Sequence, residues 1–127
     1  MKKTSVLLAD RHLSSMESIR DLLETIFDTV IMVSSEKSLI ETLDRFRPGL
    51  VVVDLEFLVA KAQNVANLLN QYDPELKFIV LSTHEGTEAM ENCKLSGASG
   101  YILKHSSAEN LIEAVAAVQN GGMFFSA

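Results

Sequence analysis

Five short apolar runs each close on a residue able to do chemistry: Asp10, Ser34, Asp54, Ser82 and Lys104. Two carboxylates brought side by side repel, and a site that holds them calls for a cation between them. Lys104 is one such cation, and a bound divalent metal is another. Hard oxygen ligands with open positions suit Mg²⁺, which keeps waters and bridges carboxylate to phosphoryl oxygens. An aspartate beside such a cation, with a hydroxyl and an ammonium for the equatorial oxygens, is equipped to accept a phosphoryl group. Plainer uses exist for each. Asp10 and Asp54 both precede helical segments and suit helix caps, Ser82 suits a loop cap, and Lys104 suits a solvated surface.

The elements that must position these residues are legible from spacing. The runs 5–10, 29–34, 50–54, 78–82 and 100–104 are rich in Val, Ile and Leu, and successive apolar residues argue strands buried on both faces. Between them lie helical stripes. Leu13, Met16, Ile19, Leu22, Leu23 and Ile26 form the first, behind a Ser14-x-x-Glu17 capping box. Leu39, Ile40, Leu43 and Phe46 form the second, stopped by Pro48-Gly49, and Leu58, Ala62, Val65, Ala66 and Leu69 the third. The fourth, over residues 86–96, has only Ala89, Met90 and Cys93 as its stripe. The fifth runs from Ser106-x-x-Glu109 to Gly121-Gly122, with a cap at each end. Strand and helix alternating five times predict an α/β fold with right-handed crossovers. The expected sheet is parallel, doubly wound and five-stranded, in the flavodoxin-like order 2-1-3-4-5 with helices on both faces. Its functional crevice lies beyond the carboxyl ends of strands 1 and 3, which brings Asp10 to Asp54 and places Ser82 and Lys104 next in line.

Totals exclude several alternatives. A chain of 127 residues, 47% hydrophobic and 22% charged, is expected to be one soluble domain, residues 1–127. A formal charge of −6 with scattered basic residues argues against direct contact with nucleic acid. No apolar run reaches the ~20 residues of a membrane span, and the first residues lack a signal-like apolar region. A single cysteine, Cys93, rules out an internal disulfide, and a cytoplasmic protein is the default expectation. A flavin or nucleotide protein on the same fold is disfavoured, because the loop after strand 1, ADRHLSSME, has no glycine and no G-x-G-x-x-G occurs.

With these residues at these positions, the chain resembles a bacterial response-regulator receiver domain over essentially its whole length. In that family an acidic pair ends strand 1, a phosphoacceptor Asp ends strand 3, Thr or Ser ends strand 4 and Lys ends strand 5. The resemblance implies Asp54 as phosphoacceptor, Ser82 as the hydroxyl that follows the phosphoryl group, Lys104 as its ion-pair partner and Tyr101 as the aromatic switch that turns inward on activation. It implies Mg²⁺ at Asp10 and Asp54, a sensor histidine kinase or phosphotransfer protein as partner, and a homodimer as a candidate assembly. Its own chemistry would stop at self-phosphorylation and dephosphorylation of Asp54. The segments LSTH (81–84) and 100–127 resemble the LuxR/FixJ subgroup, whose helix-turn-helix output domain this chain lacks.

Four positions depart from that pattern. Arg11 stands where the second, metal-binding acid is usual, and a guanidinium repels a cation. The loop after Asp54 reads LEFLVAKAQN, without the usual Pro and Gly; Thr83 is bulkier than the usual small residue; His105 follows Lys104. Two compensations are conceivable. The Glu56 carboxylate replaces the missing acid and keeps Mg²⁺, or Arg11 pairs with Asp54 or Asp10 and supplies the charge itself. The alternative function is a pseudo-receiver, a phosphorylation-independent interaction module. His12, His84 and His105 read as solvated loop residues, and Cys93 as a small packing residue.

Overall fold

The computed structural model describes residues 5–12, 16–59 and 64–126. Six parallel strands form one sheet: β1 (Ser5–Ala9), β2 (Thr29–Val33), β3 (Leu50–Asp54), β4 (Lys77–Ser82), β5 (Gly100–Leu103) and the short β6 (Phe124–Phe125). Their order is β2-β1-β3-β4-β5-β6. The expected order of the first five holds, and the difference is β6, a sixth edge strand. Phe124 N–H donates to Ser99 O at 3.0 Å and Ser126 N–H to Tyr101 O at 2.9 Å, which ties the tail to β5. A two-residue strand of aromatic residues has no alternating pattern long enough to read from sequence.

Successive residues of the central strands serve opposite cores, as a sheet covered on both faces requires. Val6, Leu8, Leu50, Val52, Ile79, Leu81 and Ile102 pack in one core, with α1 (Glu17–Glu24) and α6 (Ser107–Gln119). Leu7, Ala9, Val51, Val53, Phe78, Val80, Tyr101 and Leu103 pack in the other. That second face is covered by α2 (Glu36–Phe46), α3 (Leu55–Val59), α4 (Asn64–Tyr72) and α5 (Thr87–Leu95). One expected third helix is therefore two. Ala62, like Leu13 and the Ser14 capping box, lies outside the described residues.

Helix ends follow local chemistry. The Ser35 hydroxyl accepts the Ser38 N–H at 3.1 Å and caps α2. At its other end Arg47 takes a left-handed conformation, φ 48°, before Pro48. Ser106 precedes α6 but makes no side-chain capping bond. Ser106 still belongs to the 3₁₀ turn Lys104–Ser106, and its φ −109°, ψ 11° is not the extended backbone of a capping residue. Gly100 sits at a close approach: a Cβ there would meet Ile79 and the Phe124 carbonyl at 3.1 Å, and a neighbour would have to give way.

Candidate functional site

Register delivers the expected residues to one rim. Ala9 pairs with Val53, so the next residues, Asp10 and Asp54, stand beside each other. Asp54 pairs with Leu81 and Ser82 with Leu103, which sets Ser82 and Lys104 one step further along the same edge. Asp10 lies just past β1 but its N–H still donates to Val33 O at 3.1 Å, so the ladder holds it in line. Lys104 begins the 3₁₀ turn rather than ending β5, and Ser34, exposed past the end of β2, takes no part in the pocket.

Lys104 is the cation between the two carboxylates. Its Nζ lies 2.6 Å from Asp54 Oδ1 and 3.2 Å from Asp10 Oδ2. Asp10 and Asp54 are buried, at 1% and 6% exposure, while the lysine side chain keeps 27%. Desolvation alone would push the Lys104 ammonium down, but the hydrogen bond and charge of Asp54, then those of Asp10, outweigh it. The group therefore titrates above the ordinary lysine range. The remaining carboxylate oxygens are satisfied by backbone. Asp54 Oδ2 accepts the N–H groups of Glu56 at 3.0 Å and Phe57 at 3.3 Å, so Asp54 also caps α3. Asp10 Oδ1 accepts the His12 N–H at 2.7 Å. Asp54 is thus helix cap and ion-pair partner at once, whereas Asp10 holds a loop N–H and does not cap α1, which begins only at Glu17. The backbone donors of His12, Glu56 and Phe57 escape sequence reading, because main-chain N–H groups carry no residue signature.

A second arrangement lies beside it. The Ser82 hydroxyl, 1% exposed, accepts the His84 N–H at 2.8 Å. Tyr101, fully buried, donates its hydroxyl to His84 O at 2.8 Å. His84, read from sequence as a loop histidine, is held at both backbone ends, while its side chain is exposed. Tyr101 lies in the inward position. His105 Nε2 stands 3.9 Å from Glu85 and His12 Nδ1 3.9 Å from Asp10, both histidines being exposed.

Neither compensation for Arg11 forms. Arg11 is exposed and, among the described residues, has no ion pair with Asp10 or Asp54. Lys104 already pairs with both carboxylates, and a guanidinium entering the same buried edge would have to give up its own hydration. Glu56 is exposed too, contributing its N–H rather than its carboxylate. Among the described residues no three His, Cys, Asp or Glu side chains gather as metal ligands. The Mg²⁺ that the fold implies would meet two carboxylates sharing one ammonium, with a guanidinium next in sequence. That donor set does not fit a divalent cation as it stands.

Residues 6–116 match the response regulator receiver domain family. The chain belongs to it. Among curated relatives, the transcriptional regulatory protein DegU of Brevibacillus brevis is 28% identical over 96% of this chain and 52% of its own length. The transcriptional regulatory protein MctR of Rhizobium johnstonii is 28% identical over 98% of this chain and 59% of its own. The receiver described here therefore spans a little over half the length of these relatives. Among solved structures, the RcsB response regulator of Salmonella typhimurium superposes with a TM-score of 0.84 at 25% identity, over 98% of this chain and 63% of that one. A LuxR-family two-component response regulator from Aurantimonas superposes equally well, at 0.84, with 22% identity over 97% of this receiver and 89% of that chain. Among the described residues no helix is long and apolar enough to cross a membrane.

Proposed function

We propose that this receiver takes a phosphoryl group on Asp54 from a partner histidine kinase or phosphotransfer protein, in the cytoplasm, as the signal-receiving part of a transcriptional regulator. The observation that carries the reading is the Asp54–Lys104 pair at 2.6 Å, flanked by Asp10 and Ser82 at the same rim. In the transfer, the donor's P–N bond breaks as Asp54 oxygen forms the acyl phosphate. The Lys104 ammonium would then meet a phosphoryl oxygen in place of the carboxylate, where a preorganised cation acts on developing charge. Ser82 would exchange its bond to His84 N–H for one to the phosphoryl group, and the Tyr101–His84 link would carry that change toward α5. Contact with DNA would belong to the rest of such a regulator. The test is incubation with acetyl phosphate, with and without Mg²⁺, scored by intact mass. A single adduct that disappears in Asp54→Asn supports the reading.

A second reading has its own support: a phosphorylation-independent interaction module. Both Asp54 oxygens are engaged, Arg11 replaces an acid, and the inward Tyr101 is tied to the His84 carbonyl. No adduct, together with no response to beryllofluoride, would select it. The metal question separates cleanly. Arg11→Asp is expected to raise Mg²⁺ affinity, whereas Glu56→Gln is expected to leave it unchanged, since that carboxylate stands in solvent.

A further inference from the structure

A groove between α3 and α5 is used by none of this chemistry. Its inner part, about 180 Å³, is lined by Leu55, Leu58, Ala89 and Cys93, together with the polar Asn92 and Ser96. Leu55, Leu58 and Cys93 are buried beneath it, so the floor is apolar. Burial also pushes the Cys93 thiol up to about 11, which keeps it uncharged at neutral pH. Leu55 and Ala89 continue into an outer part of about 320 Å³, whose rim carries His84, Glu85 and Glu88. All three rim residues are exposed. Glu85 has only His105, at 3.9 Å, and among the described residues no cation pairs with Glu88. The groove thus has an aliphatic end and a carboxylate end.

Charge decides what fits. Nucleic acid and anionic lipid surfaces are repelled by the rim and by a net charge of −6. A second copy packed rim to rim would set Glu85 and Glu88 against their own like charges. We propose that the groove between α3 and α5 docks a basic amphipathic segment of a partner protein, one aliphatic side chain filling the inner pocket and a lysine or arginine meeting Glu85 and Glu88. Leu55 directly follows Asp54, and His84 receives the Tyr101 hydrogen bond, so the occupant touches neighbours of both pocket groups. Docking here does not require Asp54 to be phosphorylated, and it stands or falls apart from that reading.

The probes are ethyl-, butyl- and hexylguanidinium, titrated into the isotope-labelled 127-residue chain and followed by amide chemical shifts. The inner pocket has room for about six water-sized groups at ~30 Å³ each. Affinity is therefore expected to rise by up to about fourfold per methylene and then level off. Shifts should centre on Ala89, Asn92 and Cys93. Hexanoate, with a similar tail and the opposite charge, is expected to bind more weakly. Ala89→Leu fills the inner pocket and should abolish the chain-length dependence. Glu88→Gln, on an exposed rim and harmless to folding, should weaken the guanidinium probes by about 1.5- to 5-fold. A flat chain-length series, equal binding of hexanoate, or indifference to both substitutions overturns the proposal. So does a concentration-dependent dimer, measured by sedimentation, that Ala89→Leu disrupts, because the occupant is then a second copy.

Discussion

Removing the Lys104 ammonium tests the pocket's charge balance directly. Lys104→Met keeps the aliphatic stem and leaves Asp10 and Asp54, 1% and 6% exposed, facing each other without a cation. Deleting one partner of a buried ion pair costs about 3–5 kcal/mol, because the charge left behind is neither solvated nor paired. Lys104 keeps 27% exposure, so water can reach the vacated space, and the expected loss falls to about 2–4 kcal/mol. For 127 residues the unfolding entropy is roughly 0.27 kcal/mol per kelvin, which makes this a fall in Tm of about 7–15 °C. Differential scanning calorimetry at neutral pH reads it. Adding Asp10→Asn to Lys104→Met should recover at least about half of the loss, since it removes one of the two repelling charges. A Tm within about 3 °C of the parent, or a double variant no better than Lys104→Met, would refute the account of Lys104 as the internal counter-cation. The same pair sets an alkaline limit. A group whose folded pKa is raised contributes stability that is complete below its unfolded value and is lost as pH rises through the folded one. Stability should therefore fall as pH climbs above about 10.5, and more steeply in the parent than in Lys104→Met.

Three further substitutions have defined outcomes. Tyr101→Phe removes the hydrogen bond to His84 O while keeping the buried ring; a loss of about 0.5–1.5 kcal/mol in urea unfolding is expected, with faster amide exchange in the 83–86 loop. Ser35→Ala deletes the α2 cap and should cost about 1 kcal/mol by the same measurement. Arg47→Gly should stabilise by about 0.5–1 kcal/mol, because φ 48° penalises a side chain and suits glycine; a lower urea midpoint would argue against it.

The sequence alone determined the fold class and the address of the site. Apolar runs separated by helical stripes leave few ways to bury both faces of five strands, and parallel register then carries Asp10, Asp54, Ser82 and Lys104 to one edge without any knowledge of their contacts. Arg11 was equally legible as a residue out of place, since its charge is a property of its type. What it does was not legible. Only the tertiary structure turned it outward, because whether a guanidinium enters the pocket depends on which cation already occupies it, and Lys104 reaches there from ninety-four residues away. The same holds for the clamp of Ser82 and Tyr101 on His84 and for the groove beside them. Each rests on backbone groups or on surfaces from distant segments, and neither is written in residue type or spacing. The division of the third helix and the sixth strand escaped for a simpler reason: segments of five and two residues carry too few positions for a period to show.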